Sequence, residues 1–172
     1  DDHDYGANDA GGSFAFKGWA ETVYENFWQS PADVTGRPGV YSSRTFGAEG
    51  KRVQVIALDT RYFRSDLARF PFSEERRPKG NYGQNTGAGA TMLGNAQWAW
   101  LTAELAKPAD VRIVVSSVQV LTEAHDFESW ENFPNERARL LNALEEAGGA
   151  NTILLTGDRH QGGLYRMKTS IG

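Results

Sequence analysis

Three short apolar runs alternate with two helical segments, and this alternation limits the possible folds more than any other feature. The runs cover residues 53–58, 111–117 and 152–156, and they have the length and residue types of buried strands. The segments between them, residues 95–107 and 134–146, have helical spacing of apolar residues, with Asn95 as a predicted N-cap. This strand, helix, strand, helix, strand order predicts an α/β protein with a mostly parallel sheet covered by helices.

Further elements are predicted on either side of this unit. Residues 16–29 carry apolar residues at helical spacing, which predicts an amphipathic helix that covers a core and ends before Pro31. A short strand is expected around residues 40–42, and another one begins at residues 163–167. Residues 64–90 have no sustained period and predict a long loop excursion.

Composition narrows the class of protein. A chain of 172 residues with 40% hydrophobic residues can bury one core, so we expect a single domain over residues 1–172 that is a monomer. A net charge of -4 provides no basic surface for nucleic acid, and the absence of Cys excludes disulfides and thiolate metal sites. No apolar run approaches the roughly 20 residues that a membrane span needs.

The loop after the third strand is the first candidate site. Asp158 and His160 follow that strand directly, and ligands of open α/β sheets bind at the carboxyl ends of strands. In an extended stretch, side chains two residues apart project to the same side, as two ligands of one cation must. The alternative is a surface ion pair between Asp158 and Arg159, with His160 incidental.

The opening segment is the second candidate site. Adjacent carboxylates at Asp1, Asp2 and Asp4 repel one another unless they are solvated or neutralised by a cation. Carboxylate oxygens with a minority of imidazole suit calcium, manganese, iron or zinc. A solvated acidic terminus is the alternative for this segment. The third histidine, His125, lies in a stretch that we interpret as an ordinary polar loop.

In a metal-dependent hydrolase, these residues would have different catalytic roles. The metals would polarise a phosphoryl oxygen and lower the pKa of a bound water, while a histidine donates a proton to the leaving alkoxide. His3 is the candidate donor because it has carboxylates on both sides, whereas His160 is better placed as a neutral ligand.

Five blocks of sequence together resemble the PhoD-like alkaline phosphatase and phosphodiesterase family. In chain order the blocks are DDHDYGAND at residues 1–9, VQVIALDTRYFR at 53–64, MLGNAQW at 92–98, SSVQV at 116–120 and GDRH at 157–160. Each block is weak alone, but the order and spacing of all five, including the unusual DTRYFR, make accidental agreement hard to explain.

The resemblance implies a fold, an activity and a set of roles. The fold would be a calcineurin-like metallophosphoesterase sandwich of two mixed sheets flanked by helices (αββα), and the activity hydrolysis of phosphate monoesters and diesters at alkaline pH. Family members are typically exported, which implies a secreted or periplasmic protein, and use Fe³⁺ with Ca²⁺; Mn²⁺ and Zn²⁺ are the other candidates. The implied metal ligands are Asp2, Asp158 and His160, with Asp1 a weaker one, and His3 takes the acid position.

Arg61, in the DTRYFR block, is a candidate for binding the substrate phosphate because guanidinium suits that geometry. An ion pair with Asp59 or another carboxylate at the core edge is its alternative role. Trp98, Trp100 and Trp130 are expected to pack in the core or a lid.

The resemblance also leads us to expect a fragment truncated at both ends. In the family, an earlier stretch supplies the aspartate that bridges the metals, a tyrosine and often a cysteine, so this chain alone could be inactive. Two other functions stay open: a non-catalytic calcium-binding or adhesion domain, for which the opening and residues 79–89 could serve, and another metal-dependent hydrolase such as a nuclease or sugar phosphatase.

Overall fold

The computed structural model describes residues 1–71, 73–75 and 80–168. Its α-helices are α1 (Asp2–Tyr5), α2 (Lys17–Trp28), α3 (Gly94–Leu105) and α4 (Pro134–Glu146), with short 3-10 turns at Trp130–Asn132 and Gly149–Asn151. Its strands are β1 (Ser42–Phe46), β2 (Val53–Ala57), β3 (Ala68–Arg69), β4 (Tyr82–Gly83), β5 (Val111–Ser116) and β6 (Thr152–Thr156).

The central element is a mixed four-stranded sheet with strand order β1-β2-β5-β6. The three strands predicted from the apolar runs, β2, β5 and β6, are parallel to one another, with Ile56 opposite Val114 and Val114 opposite Leu154. β1 is antiparallel to β2. The predicted mixture of parallel strands and helices is therefore confirmed.

One face of this sheet forms the core with α3 and α4. Ile56 and Val114 project from the sheet into a cluster that contains Trp98 and Leu101 of α3 and Leu140 of α4. These helices pack here because their apolar residues recur at helical spacing and form one stripe. The expected core packing of Trp98 and Trp130 is confirmed, and Trp100 is partly buried against the same cluster.

Buried polar side chains on the same face fix the end of α3. Arg112 of β5 donates to the carbonyls of Leu105 and Lys107, at 2.9 and 2.6 Å, and to the Gln54 side chain at 3.0 Å. A cation that donates to the last carbonyls of a helix also interacts favourably with the helix dipole. These hydrogen bonds hold the end of α3 against the sheet.

The opposite face of the sheet is only partly covered. Alternate residues of β2 and β5 on this face are half-buried, and Ile153 and Leu155 of β6 are each 51% exposed. Apolar side chains in neighbouring strands thus form a continuous patch.

The interpretation of α2 as a core-covering helix is wrong in this structure. The helix forms at the predicted place, but only Ala20 is buried, and most of its apolar stripe is exposed. Trp19 and Phe27 are 69% and 74% exposed. Spacing alone specifies an apolar face but not the surface against which that face packs.

Several boundaries differ from the sequence predictions. Asn95 lies inside α3 rather than at its N-cap, and the hydroxyl of Thr91 accepts the Gly94 N–H instead. The strand expected around residues 40–42 begins at Ser42, and residues 163–167 form no strand. The excursion at 64–90 contains the short antiparallel pair β3 and β4, while residues 72 and 76–79 of that stretch lie outside the described residues.

Candidate metal centre

The carboxyl ends of β2, β5 and β6 meet at one edge of the sheet, as parallel strands require. Asp59, Thr60 and Arg61 follow β2, Ser117 follows β5, and Asp158 lies two residues after β6. The hydroxyls of Thr60 and Ser117 are hydrogen-bonded to each other across this edge. The opening segment of the chain lies against the same edge through Arg61.

The loop after β2 is stabilised by its own side chains. The Asp59 carboxylate accepts the backbone N–H groups of Arg61, Tyr62 and Val40 at 2.8, 2.9 and 3.0 Å. The buried Gln97 side chain accepts the Asp59 N–H at 2.8 Å and donates to the Asp59 carbonyl at 2.7 Å. The backbone of the turn that carries Arg61 is therefore held in place by these hydrogen bonds.

Asp2 is the most buried carboxylate of the opening segment, with 1% of its surface exposed. Its Oδ2 accepts the Asp9 N–H at 2.8 Å, whereas its Oδ1 has no hydrogen-bond partner among the described residues. Burial alone would raise the pKa of Asp2, but the Asp9 hydrogen bond and the Arg61 charge bring the pKa below its ordinary value. A buried anionic oxygen without a hydrogen bond favours an additional positive partner.

Asp1, Asp2 and Asp158 each place a carboxylate oxygen within 4.8 Å of the other two. Burial and the charge of Asp2 raise the pKa of Asp158 above its ordinary value. Three carboxylates at this spacing repel one another, and a hard cation would neutralise them while using the oxygen ligands that such ions prefer. The residues present therefore fit a metal site.

A cavity of about 380 Å³ opens beside this cluster. It contains both predicted histidine positions together with two of the three carboxylates. Its lining includes Asp2, His3, Asp9, Glu128, Asp158 and His160. The two acidic segments near the ends of the chain are thus brought to one cavity.

The backbone of the 157–160 loop differs from the predicted extended stretch. Asp158 and His160 both have left-handed backbone, with φ of 74° and 53°, so alternation of side chains along an extended strand does not apply. His160 lines the cavity but lies outside the group of three carboxylates. Residues held at positive φ without glycine are concentrated at functional sites.

Arg159 and His125 have local packing partners. The Arg159 guanidinium lies 3.9 Å from the centroid of the Phe127 ring. His125 contacts the Gln119 side chain at 2.8 Å and accepts the Phe127 N–H at 3.2 Å. Burial and the nearby Arg159 charge lower the pKa of His125, and its contacts agree with a structural role in the polar loop.

His3 lies at the open side of the cavity. Its side chain is 69% exposed, and its Nε2 is 4.0 Å from Asp2 Oδ1. An exposed imidazole beside a carboxylate can exchange protons with solvent and can reach a ligand in the cavity. The catalytic role predicted for His3 stays a prediction.

Arg61 is buried and engaged in ion pairs. Its Nη1 is 2.6 Å from Glu128 Oε1, and its Nη2 is 3.4 Å from Asp1 and 3.8 Å from Asp2. The alternative role of Arg61, an ion pair with a carboxylate at the core edge, is thus confirmed, with Glu128 as the partner. A direct contact with substrate stays a prediction, and it would require these ion pairs to rearrange.

Sequence reasoning missed the buried charges behind the cluster. Glu128 is 2% exposed and contacts both Arg61 and Arg64, and Tyr82 donates to the Asp9 carboxylate. A signal was present in the DTRYFR block, because two arginines so close to a buried strand require an anion. The sequence around the two arginines could not identify that anion, since Glu128 lies far along the chain.

Comparisons with known proteins give a consistent result. The model of the family described as PhoD-like phosphatase matches residues 21–171. Alkaline phosphatase D of Bacillus subtilis (strain 168) is 26% identical over 149 residues, which cover 81% of this chain and 24% of that protein. A solved structure of PhoD matches with a TM-score of 0.61 and 24% identity, over 93% of this chain and 33% of the other.

These matches also set the extent of the similarity. The chain spans about a quarter of the curated relative and a third of the solved structure. The family match includes Arg61, Glu128, Asp158 and His160, and it begins after the opening segment with Asp2. At 24% identity, the likeness to the solved structure concerns the fold.

Proposed function

The chain belongs to the PhoD-like phosphatase family, and we propose that it supplies part of the catalytic metal site of a phosphoesterase. The proposed reaction is hydrolysis of phosphate monoesters and diesters at alkaline pH. The observation that carries this proposal is the group formed by Asp1, Asp2 and Asp158, in which the buried Asp2 Oδ1 has no hydrogen-bond partner among the described residues.

We propose that Asp1, Asp2, Asp158 and His160 bind the metal ions. The oxygen-rich donor set favours hard cations, and Ca²⁺ with Fe³⁺ is the proposed pair, with Mn²⁺ or Zn²⁺ as substitutes. Once bound, the ions would polarise the phosphoryl group and activate the attacking water. His160 lines the same cavity as Asp2 and Asp158, and in this proposal it joins the carboxylates as a ligand.

His3 is the proposed proton donor. It lines the same cavity as Asp2 and Asp158, and its exposure allows protons to be replenished from solvent. Because the leaving alkoxide must receive a proton, a histidine at the open side of the cavity can act without competing for the metal. In this scheme Arg61 orients Asp1 and Asp2, and it reaches a substrate phosphate only if its own ion pairs open.

The substrates proposed are small phosphate esters, because the cavity has a volume of about 380 Å³ and the net charge of -4 does not favour binding to the nucleic-acid backbone. None of the helices within the described ranges has the length and apolar character needed to cross a bilayer. Export to the periplasm or outside the cell is a proposal that rests on the family, and a monomeric state is a further proposal.

We further propose that the sheet described here is one layer of a two-sheet sandwich within a single catalytic domain. The half-open apolar face that includes Ile153 and Leu155 supports this, since sheets bury such faces against a second layer. The described residues themselves form one mixed sheet and the small β3–β4 pair.

A non-catalytic calcium-binding domain is the second candidate, and the carboxylate-only composition of the closest cluster favours it. The two functions differ in turnover. We expect the natural full-length protein to release p-nitrophenol from p-nitrophenyl phosphate and from bis-p-nitrophenyl phosphate, and to lose this activity with a chelator. Calcium binding without chelator-sensitive release from either ester would leave only the second candidate.

A further inference from the structure

Glu128 lies between two buried arginines behind the carboxylate cluster, and we propose that it is a positioning residue that fixes the Asp2 carboxylate for metal binding. This inference rests on the proposed metal site. It assigns a role to a residue that need not touch the metal or the substrate.

The Glu128 carboxylate is buried and contacts two cationic side chains. Its Oε1 is 2.6 Å from Arg61 Nη1 and 2.9 Å from Arg64 Nη2, and both arginine side chains are almost fully buried. Buried charges are stable only when they are paired. Glu128 therefore determines where both guanidinium groups rest.

The first connection to Asp2 passes through Arg61. While Nη1 of this arginine is held by Glu128, its Nη2 points to the cluster, 3.8 Å from Asp2 Oδ1 and 3.4 Å from Asp1 Oδ1. The guanidinium is planar and rigid, so fixing one nitrogen fixes the direction of the other. Arg61 thereby sets the charge that faces Oδ1.

The second connection passes through Arg64 and the backbone of Asp9. Arg64 Nη2 donates to the Asp9 carbonyl at 2.6 Å, and the Asp9 N–H donates to Asp2 Oδ2 at 2.8 Å. The hydroxyl of Tyr82 donates to the Asp9 side chain and holds the same residue. One carboxylate is thus linked to both oxygens of Asp2 by separate routes.

These two routes explain how Asp2 keeps its orientation. Oδ2 is held by a hydrogen bond, whereas Oδ1 has none among the described residues and lies 3.8 Å from Arg61 Nη2. Partners that orient a metal ligand typically change metal affinity or activity about 10–100-fold when they are mutated. We expect Glu128 to have an effect of this size.

The test compares two buried glutamates in the natural full-length protein. Glu128→Gln removes the charge behind the cluster, and Glu136→Gln removes another buried charge, which accepts hydrogen bonds from Trp98 and from the backbone at the start of α3. Mn²⁺ alone is titrated at a temperature at which circular dichroism shows that both variants are folded, and binding is followed by calorimetry. Glu128→Gln should weaken Mn²⁺ binding about 10–100-fold, whereas Glu136→Gln should lower only the melting temperature.

The inference is overturned if Glu128→Gln binds Mn²⁺ as tightly as wild type, or if both variants weaken binding equally. If Glu128→Gln does not fold, Arg64→Lys provides the decision, since a lysine keeps the charge but cannot bridge Glu128 and the Asp9 carbonyl as guanidinium does. A folded Arg64→Lys variant with unchanged affinity also overturns the inference. Wild-type protein that binds no Mn²⁺ would instead contradict the proposed function, and the inference with it.

Discussion

Asp2 and Asp158 place carboxylate oxygens within 4.8 Å of each other although they lie near opposite ends of the chain. Tertiary structure creates this relationship, because β6 delivers Asp158 to the sheet edge where Arg61, which follows β2, contacts Asp2. The two acidic segments come together only in the folded protein. We therefore expect the ability of the protein to bind metal to depend on the stability of this sheet edge.

We expect His3→Ala to keep its metal and to lose hydrolysis rate. Removing a general acid typically costs about 10²–10⁴-fold in rate, whereas the exposed His3 side chain contributes no ligand in the proposed scheme. The measurement is kcat for p-nitrophenyl phosphate beside the metal content of the same preparation. Full activity in the variant, or loss of metal together with activity, would contradict the role of proton donor.

Gln97→Leu should destabilise the protein by about 3 kcal/mol, because the buried N–H and carbonyl of Asp59 would both lose their partner. Urea unfolding measures this difference. Asn95→Ala is the matched control on the same helix, because Asn95 is exposed and is not the N-cap. A loss for Asn95→Ala as large as that for Gln97→Leu would contradict the observed helix start.

Glu136 should stabilise the fold in a pH-dependent way. Burial opposes its ionisation, but hydrogen bonds from Trp98, Thr91 and the Met92 and Leu93 N–H groups bring its pKa below the ordinary value. Because the folded pKa is depressed, the stabilisation is complete above the unfolded pKa and is lost as pH falls through the folded pKa.

The variant Glu136→Gln should therefore be less stable than wild type by about 2 kcal/mol at neutral pH. The difference between the two proteins should shrink as the pH is lowered through the acidic range. Urea unfolding of both proteins from pH 7 downward checks this expectation. A difference that grows on acidification would contradict the depressed pKa.

The half-open face of the sheet leads us to a further prediction, which concerns the melting temperature of the natural full-length protein. If a second layer covers this face, Ile153→Asp would bury an unpaired charge and should lower the melting temperature strongly. Glu49→Ala, at an exposed position, is the control. A melting temperature of Ile153→Asp equal to that of the control would contradict the two-sheet sandwich.

The sequence was sufficient for the strands and helices that bury an apolar face. β2, β5, β6, α3 and α4 were predicted because strand composition and helical spacing are local signals. The position of Asp158 beside the loop after β2 was also predictable, since loops at the carboxyl ends of parallel strands meet at one edge.

What the sequence could not provide depends on contacts between distant residues. Neither Asp158 nor His160 is a glycine, so the sequence does not indicate their left-handed backbone. The apolar stripe of α2 is exposed, but its spacing is the same as that of a buried stripe. Glu128 belonged to a stretch interpreted as a polar loop, and its pairing with Arg61 and Arg64 emerges only in three dimensions.

Metal content of the natural full-length protein and of its Asp158→Ala and His160→Ala variants tests the central claim most directly. Mass spectrometric metal analysis after dialysis, with the fold checked by circular dichroism, should show bound metal in the wild type and its loss in both variants. His125→Ala, at a histidine with structural contacts, should keep its metal. Full metal occupancy after both Asp158→Ala and His160→Ala would contradict the assignment of these residues as ligands.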